Sequence, residues 1–290
     1  MDNLVFMTDI KIIDNKKIVL DKEYSQVFKL SDNSEISISS TVGLTRCEQE
    51  DSLLVITKGK YILMLVADGM GGLNNGEGAS YSLVNTIKKY FSYEKEEYLR
   101  ILDDILLEEV MYLIIEDVVS KIRCDSGTTL SMALVLDDVT YIVNIGDSRI
   151  YSLNNNTFRF ITKDDSEGFD RFNPRNRQDR DKLRFYRYNN LITNCIMKNA
   201  LIKLNIKEIY NDKYDSLCIL TDGVSDILKE KEIKECLKKE KSAYLLTELS
   251  KYHQIEDNKE IENDTDDYLK KIYPGFDNAS AIVYKKVRRK

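Results

Sequence analysis

Two apolar, strand-like runs in this chain end in the same dipeptide. The run YILMLVA leads directly into Asp68-Gly69, and the run SLCILT leads into Asp222-Gly223. A carboxylate at a strand end is held by rigid backbone, while the glycine lets the chain turn and leaves space beside the acid. A single Asp-Gly pair is typical of a simple turn. Because Glu50-Asp51 and Asp277-Asn278 also flank apolar runs, the four acidic positions together predict a divalent-metal site.

The apolar pattern around the first of these acids predicts a hairpin. Residues 35–40 alternate apolar and polar, and residues 52–56 and 61–67 have the composition of strands around a T-K-G-K turn. Such a hairpin would deliver Glu50-Asp51 and Asp68 from neighbouring strands.

A helical pattern follows from Glu77 to about Arg123. One predicted segment covers SYSLVNTIKKYF. A longer one has apolar residues three and four positions apart, which we expect to pack in the core. These are Leu99, Leu102, Leu106, Val110 and Leu113.

Short strands return after Gly127. TTLSMALVL, TYIVNI, RIYSL and TFRFIT are separated by turn sequences and predict an antiparallel meander. In the turn Gly146-Asp147-Ser148, we expect the Asp147 carboxylate to bond the turn amides. A strand at 216–221, a helical stretch that continues with interruptions from about Ser225 to about Tyr252, and a last strand in ASAIVYKKV complete the pattern. Strands and helices that cluster rather than alternate predict an α+β fold with an antiparallel sandwich.

Length and composition limit the classes of protein. With 290 residues, 42% of them hydrophobic, we expect one domain over residues 1–290. The net charge of −6 gives no general attraction to nucleic acid or anionic membrane. No apolar run approaches the ~20 residues of a membrane span, and the first residues do not resemble a secretion leader. We therefore expect a cytoplasmic, monomeric protein.

The five cysteines are odd in number, scattered and never in a C-x-x-C pair. This argues against a disulfide framework and against structural zinc.

Four phrases stand in a fixed order along the chain. They are Arg46-x-x-x-Glu50-Asp51, Asp68-Gly-Met-Gly-Gly with Gly76-Glu77, Gly146-Asp147-Ser148-Arg149, and Thr221-Asp222-Gly223 with Asp277-Asn278. In this order they resemble the metal-dependent serine/threonine protein phosphatases of type 2C, particularly the bacterial branch. The resemblance runs from about residue 40 to 285, within a motif-bearing core of about 35–287. It implies a β-sandwich of two antiparallel sheets flanked by helix pairs.

The resemblance also implies a role for each acidic residue. Asp68 would bridge two metal ions, and the Gly69 carbonyl would help to hold one of them. Asp222 and Asp277 would complete the shell of the first ion. Glu50 would support the second ion, largely through water.

Three further roles follow from the resemblance. Asp51 would orient metal-bound water, and Arg46 would grip the substrate phosphate, since a planar guanidinium matches two phosphate oxygens. Asp125 falls where bacterial members have a ligand for a third, weaker ion shared with Asp222.

The reaction explains why these residue types are needed. Phosphate-monoester hydrolysis is among the slowest uncatalysed reactions. Two ions about 3.5–4 Å apart activate water and clamp phosphate oxygens. Hard oxygen ligands favour Mn²⁺ or Mg²⁺ over zinc.

The chain departs from the family pattern at several positions. Gln49 replaces the usual asparagine, Leu73 replaces a histidine, Asp164-Asp165-Ser166 stands for Asp-His-Ser, and LITNCIM lacks a final glycine. These departures leave the substrate-facing flap, about 164–195, unspecified by the resemblance. Within it, the six arginines of 171–187 could hold an acidic or phosphorylated partner or could simply be solvated. The acidic stretch 256–267 is expected to be a solvated loop.

No histidine lies near the motifs in the sequence to donate a proton to the leaving group. Eukaryotic relatives carry one after Asp-Gly, where this chain has Met70. We expect the single histidine, His253, to be a solvated surface residue.

Three functions remain open from the sequence. The first is hydrolysis of phosphoserine and phosphothreonine on proteins that a serine/threonine kinase has modified. The second is a catalytically degenerate regulatory or binding member of the fold, against which the intact set of acids argues, because buried like charges are costly without cations. The third is a phosphatase of small phosphoesters.

Overall fold

A computed structural model describes residues 4–7, 11–13, 16–18, 23–30, 32–58, 61–71, 76–93, 104–186, 188–253 and 273–286. Its centre is a sandwich of two six-stranded antiparallel sheets. In spatial order, the first sheet contains β1 (Leu4–Met7), β6 (Ser52–Lys58), β7 (Tyr61–Ala67), β10 (Leu130–Val135), β11 (Val139–Ile145) and β15 (Asn205–Tyr210). The second contains β13 (Thr157–Phe160), β12 (Arg149–Asn154), β16 (Ser216–Leu220), β17 (Ala279–Lys285), β5 (Glu35–Thr41) and β4 (Glu23–Lys29).

Two smaller sheets accompany the sandwich. A three-stranded sheet joins β14 (Ile196–Met197), β9 (Ser126–Thr128) and β8 (Gly69–Gly71), and a hairpin joins β2 (Lys11–Ile13) to β3 (Lys16–Ile18).

Helices cover both outer faces. On the first sheet lie α1 (Gly76–Tyr93) and α2 (Asp104–Lys121), which pack on each other. On the second lie α5 (Asp222–Ser225), α6 (Glu230–Leu237) and α7 (Ser242–Tyr252). Two short helices, α3 (Glu167–Phe172) and α4 (Arg177–Leu183), belong to the flap, and a 3₁₀ turn covers Asn211–Lys213.

The layers enclose three apolar clusters, one between the sheets and one under each helical layer. Ile38 and Ile282 from the second sheet meet Leu53 and Val66 from the first in the central cluster. The predicted α+β sandwich with flanking helices is therefore confirmed. Within the described ranges, no helix is both long and apolar enough to cross a membrane.

The hairpin that was expected to carry two acidic segments is confirmed. β6 and β7 pair in register from Ser52 opposite Ala67 to Lys58 opposite Tyr61. Residues 59 and 60, between β6 and β7, lie outside the described residues. The same is true of Leu73, of the acidic stretch 256–267, and of Leu99 and Leu102 in the predicted helix.

The predicted buried stripe on the second helix is wrong by one position. Leu113 is 56% exposed, and Leu106 and Val110 are only partly buried. The buried stripe consists instead of Leu107, Met111, Ile114, Ile115 and Val118. Since apolar residues occur on nearly every face of this segment, spacing alone could not identify the face that meets the sheet.

The predicted single meander is also wrong. β10 pairs with β11, and β12 pairs with β13, but β11 and β12 lie in different sheets. The segment 146–148 is therefore a crossover between the sheets. Two strands that sequence reasoning did not find, β4 and β15, pair along the edges and bury only part of their side chains, so their apolar pattern is weak.

Candidate active site

The predicted acidic residues lie at one end of the sandwich. Asp51 immediately precedes β6 and Asp68 immediately follows β7, and the paired residues Ser52 and Ala67 place them side by side. The amide of Asp68 donates to Thr129 Oγ1 at 3.0 Å, and the Thr129 amide donates to the Asp68 carbonyl at 2.9 Å. The backbone that carries Asp68 is therefore fixed by the neighbouring strand.

The second sheet contributes acids in the same way. Asp222 begins α5 after β16, and Asp277 lies two residues before β17. Gly223 allows these two segments to touch, because a Cβ at this position would lie 1.9 Å from the Asn278 carbonyl oxygen. Only glycine fits such a close approach.

Asp51 is buried, with 4% of its surface exposed. It accepts a hydrogen bond from Thr221, which directly follows β16 of the second sheet. Thr221 Oγ1 donates to Asp51 Oδ2 at 3.0 Å, and Thr221 Oγ1 in turn accepts a hydrogen bond from the Ser280 amide at 2.9 Å. Among the described residues, Asp51 Oδ1 has no hydrogen-bond partner. Burial, with the nearby charges of Asp222 and Asp277, raises the pKa of Asp51 to about 8, although hydrogen bonds from Ser280 and Thr221 oppose the shift.

Asp68 and Asp147 are in the same electrostatic situation. Burial raises the pKa of Asp68 well above its ordinary value, and the charges of Asp222, Asp51, Asp147 and Asp277 raise it further. Burial followed by the charge of Asp222 does the same to the pKa of Asp147. These carboxylates therefore form one mutually repelling group, the acidic cluster, consisting of Asp51, Asp68, Asp147, Asp222 and Asp277.

The expectation that the Asp147 carboxylate bonds the amides of its own turn is wrong for the amide of Gly146. That amide donates to Asp165 Oδ2 at 3.1 Å. Asp147 Oδ1 is buried and finds no hydrogen-bond partner in the described part of the chain. Asp147 lies close enough to Asp222 for the charge of Asp222 to raise its pKa.

Glu50 is held at the edge of the cluster by Asn278, a residue whose role the sequence did not reveal. Asn278 Oδ1 accepts the Glu50 amide at 2.8 Å, and its Nδ2 donates to the carbonyls of Val42 and Glu48 at 3.1 and 3.0 Å. Burial raises the pKa of Glu50, while Arg46 and the Gly76 amide lower it.

Gly69 lies where three segments meet. Its amide donates to the Glu50 carbonyl at 3.2 Å. A Cβ on Gly69 would lie 2.3 Å from the Gly76 carbonyl oxygen, so a side chain would force the segments apart. This packing holds the Asp68-Gly69 backbone against Glu50.

Arg46 contacts two of the predicted metal ligands. Its Nη2 lies 3.0 Å from Asp277 Oδ1, and its Nη1 lies 3.6 Å from Glu50 Oε2. The Arg46 side chain is 41% exposed, so part of it faces solvent. Its position beside the cluster is compatible with contact to a phosphate.

Asp125 lies outside the buried cluster. Its side chain is 55% exposed, and its Oδ1 lies 3.6 Å from Arg123 Nε. The following residue, Ser126, pairs with Gly71 in the small sheet. Asp125 is thus near the strand that leaves Asp68, and its role for a third ion stays a prediction.

Gln49, which replaces the family asparagine, acts as a local cap. Its Oε1 accepts the Asp51 amide at 3.1 Å, and its Nε2 donates to Ser40 Oγ at 2.8 Å. The longer side chain therefore still orders the segment before Asp51.

A second buried charge group, which we call the arginine cluster, lies beside the acids and consists of Arg149, Asp164 and Asp226. Arg149 Nε donates to both Asp164 oxygens at 3.0 and 2.9 Å, and its Nη2 lies 3.6 Å from Asp226 Oδ1. Its Nη1 donates to the Ser225 carbonyl at 3.2 Å. Arg149 therefore ties the short helix of Asp222 to the start of the flap.

Further flap contacts explain two of the six arginines. Arg180 Nε lies 2.5 Å from Glu230 Oε1, and the buried Arg184 donates to the carbonyls of Ile227 and Asp181. Arg180 joins the flap to α6, and Arg184 joins it to the segment between α5 and α6. Neither an acidic partner nor simple solvation therefore describes these two arginines. Arg187 lies outside the described residues.

The expectation that His253 is a solvated residue is wrong. Its side chain is 11% exposed, and its Nε2 lies 2.8 Å from Glu232 Oε1. It ends α7 and packs beside α6, because the two helices contact each other. All five cysteines are free thiols, as expected.

The acidic cluster fits divalent cations by its chemistry. The donors are carboxylates, burial raises the pKa of three of them (Asp51, Asp68 and Asp147), and Asp51 and Asp147 each carry a buried oxygen with no hydrogen-bond partner among the described residues. In the described ranges, however, no three His, Cys, Asp or Glu side chains are arranged closely enough to hold a metal ion. Arg46 contacts the cluster through Asp277.

Comparison with known proteins gives a consistent family. Residues 45–269 match the family model described as Protein phosphatase 2C. The serine/threonine phosphatase stp of Listeria innocua is 27% identical over 225 residues, covering 72% of this chain and 87% of that protein. The stp protein of Listeria welshimeri is 27% identical over 189 residues, covering 62% and 73%.

Solved structures share the fold at lower identity. A bacterial serine phosphatase has a TM-score of 0.67 at 23% identity, covering 88% of this chain and 98% of its own. The Mycobacterium tuberculosis phosphatase PstP/Ppp has a TM-score of 0.66 at 21% identity, covering 87% and 98%. The catalytic domain of PstP in complex with two manganese ions has a TM-score of 0.63 at 22% identity, covering 87% and 98%.

Proposed function

Since the chain belongs to the protein phosphatase 2C family, we propose that it hydrolyses phosphoserine and phosphothreonine on proteins with the help of divalent metal ions. The observation that carries the proposal is the acidic cluster at the end of the sandwich. Burial raises the pKa of Asp51, Asp68 and Asp147, and the charges of neighbouring carboxylates raise it further. Such an arrangement is costly to bury unless cations bind to it.

We assign the metal-holding residues within this proposal. Asp68, Asp222 and Asp277, with the carbonyl of Gly69, would hold Mn²⁺ or Mg²⁺, and Glu50 would support the second ion. The two-manganese complex of PstP, which has the same fold, supports this choice of metal. When bound, two such ions would lower the pKa of a water molecule and neutralise charge on the phosphoryl group.

The other residues would act on the water and the substrate. Asp51, with one oxygen fixed by Thr221 and the other unpaired, is suited to accept a hydrogen bond from the attacking water. Arg46 would turn its exposed side to the phosphate, because charge-assisted hydrogen bonds from a guanidinium are strong and directional. Asp125 would contribute to a third, weaker ion together with Asp222.

The substrate would be a protein modified by a serine/threonine kinase. This proposal is supported by the stp relatives, which are serine/threonine phosphatases.

The experiment is a phosphate-release assay with purified protein. A phosphothreonine peptide should release phosphate in the presence of Mn²⁺ or Mg²⁺, lose this activity with excess chelator and regain it when metal is restored. Hydrolysis of small phosphoesters alone would favour the small-molecule alternative. Metal binding without any hydrolysis would favour a regulatory member of the family.

A further inference from the structure

Three large apolar side chains are exposed in the two loops that carry Arg46 and Asp277. Leu44 is 59% exposed, Tyr273 is 60% exposed and Phe276 is 52% exposed. Isolated apolar residues on a surface are ordinary, but neighbouring ones indicate a contact surface. We call these three residues the apolar platform.

The two loops of the apolar platform are joined by direct contacts. The Leu44 amide donates to the Gly275 carbonyl at 2.6 Å. The Leu44 side chain lies against Gly275, where a Cβ would come within 2.8 Å of Leu44 Cγ. Gly43 and Gly275 both have positive φ angles, 80° and 68°, which glycine adopts without strain. Glycines therefore permit this close approach of the loops.

The aromatic members are held in one tight turn. The Phe276 amide donates to the Tyr273 carbonyl at 3.1 Å, and the two ring centroids are 6.3 Å apart. Because Gly275 lies between them in the chain and also contacts Leu44, the three side chains belong to one surface.

This surface continues into the phosphate-binding edge of the site. Arg46 follows Leu44 by two residues, and Asp277, its ion-pair partner at 3.0 Å, directly follows Phe276. The same two loops thus present an arginine and an apolar surface to solvent. An extended peptide advances about 3.3 Å per residue, so a residue close to a bound phosphothreonine can reach such a neighbouring surface.

We propose that the apolar platform binds an apolar side chain that flanks the phosphorylated residue of a protein substrate. The proposal rests on the proposed function and narrows its substrate class to phosphosites with an apolar neighbour. A charged or very small neighbour would leave the platform in water. Burial of a leucine against it corresponds to about a five- to thirtyfold gain in kcat/KM, allowing for incomplete burial.

The experiment compares phosphothreonine peptides in a polar background of serine and glycine. Leucine is placed singly at each of the three positions on either side of the phosphothreonine, and kcat/KM is measured with Mn²⁺. At least one leucine peptide should exceed the all-polar peptide by about five- to thirtyfold. The Leu44→Ser variant should reduce this ratio to below about twofold. It should leave hydrolysis of p-nitrophenyl phosphate unchanged, since that compound has no flanking residue.

Two further variants complete the design. Leu201→Ser is the matched control, because Leu201 is 86% exposed and is not part of the platform, and it should keep the preference. Tyr273→Ser tests the same surface independently if Leu44→Ser does not fold.

The outcomes separate this inference from the proposed function. Equal kcat/KM values for all peptides would contradict the proposed role of the platform but would still support the phosphatase activity. Hydrolysis of p-nitrophenyl phosphate without hydrolysis of any peptide would instead contradict the proposed function. If Leu44→Ser and Tyr273→Ser slow every substrate equally, the platform acts on loop geometry and the proposal is wrong. Conversion of a dimer to a monomer by these variants, with no peptide preference, would identify a second copy of the chain as the occupant.

Discussion

Two groups of buried charge lie side by side in this molecule and are compensated in different ways. In the arginine cluster, Arg149 is 3% exposed and Asp164 is 1% exposed, and three hydrogen bonds join them. Burial still raises the pKa of Asp164, but the charge and hydrogen bonds of Arg149 oppose the shift. In the acidic cluster, neighbouring carboxylates add to the effect of burial.

The difference indicates which cluster needs a cation from outside the chain. A buried ion pair that satisfies its own hydrogen bonds serves structure, whereas like charges close together require an added cation or protons. Asp147 is the member of the acidic cluster that also interacts with the charges of the arginine cluster. Its pKa is raised by burial, by Asp222 on one side and by Asp164 and Asp226 on the other, while Arg149 lowers it.

The largest expected effect is a loss of turnover when one carboxylate of the acidic cluster is replaced. Asp68→Asn should lower kcat by more than about 1,000-fold, because a lost metal contact removes both water activation and charge neutralisation. The protein should remain folded, and in chelator it should be at least as stable as wild type, since a repelling charge is gone. Phosphate release and circular dichroism measure the two effects. Asp212→Asn, at a side chain that is 69% exposed, is the control. A variant with a tenth of the wild-type rate would contradict the bridging role.

The next largest effect concerns the arginine cluster and is expected on stability. Arg149→Leu leaves Asp164 buried without its partner and should lower the free energy of unfolding by about 3–5 kcal/mol. Urea denaturation measures this change. The double variant Arg149→Leu, Asp164→Leu should recover a large part of the loss. If the single variant were as stable as wild type, the contrast between the clusters would be lost.

Arg46 should show the intermediate behaviour of a partly exposed cation beside the acids. Arg46→Ala should lower kcat/KM for a phosphopeptide by about ten- to a hundredfold, which corresponds to about 1.5–3 kcal/mol for hydrogen bonds to a charged group. Arg46→Lys should recover only part of this, because an ammonium cannot make two parallel bonds. Arg159→Ala, at an exposed residue of β13, is the control. An unchanged kcat/KM would assign Arg46 to its ion pairs alone.

The metal-free protein should lose stability as the pH rises. The folded pKa of Asp51, about 8, lies above its ordinary value of 3.8. A carboxyl of this kind stabilises the fold most fully below pH about 4, and that contribution disappears as the pH rises toward 8. We expect the Tm in chelator to be lower at pH 8 than at pH 5.5, by an amount equivalent to about 1–3 kcal/mol.

Metal should reverse this dependence. Because the ions bind the deprotonated carboxylates, Mn²⁺ should raise the Tm more at pH 8 than at pH 5.5. Asp51→Asn should make the loss of Tm with rising pH smaller in chelator, while Asp68 and Asp147, whose pKa values are also raised, keep part of it. A wild-type profile that is flat, or that rises with pH, would show that the acidic cluster is already compensated within the chain.

The sequence predicted most of the architecture, because strands of the sandwich and residues that follow them carry strong patterns. The hairpin that places Asp51 beside Asp68 is an example, since its two apolar strands pair in one register that the hydrophobic pattern helps to set. The crossover at residues 146–148 was missed because local pattern does not tell which sheet the next strand joins. In α2, apolar residues on several faces concealed the buried one.

The sequence predicted the charged motif residues of the site. It did not predict the residues that hold them in place. Asn278 fixes Glu50, and Thr221 joins Asp51 to the second sheet. Neither role is visible in the sequence, because each depends on contacts between residues more than 150 positions apart. His253 was misplaced because its partner, Glu232, comes from another helix, and local sequence does not show how two helices pack.

The smallest expected effect is on kcat when Asp125, which lies outside the acidic cluster, is replaced. Asp125 is 55% exposed and pairs with Arg123, so water screens it and its loss should not disturb the buried acids. Asp125→Ala should lower kcat by about two- to tenfold if it supports a weak third ion, and calorimetry should still detect two tighter ions. Asp170→Ala, at another exposed carboxylate in an ion pair with a cation, is the matched control. Loss of the tight sites in Asp125→Ala would place this residue inside the cluster. An unchanged rate at every metal concentration would leave it a surface ion pair.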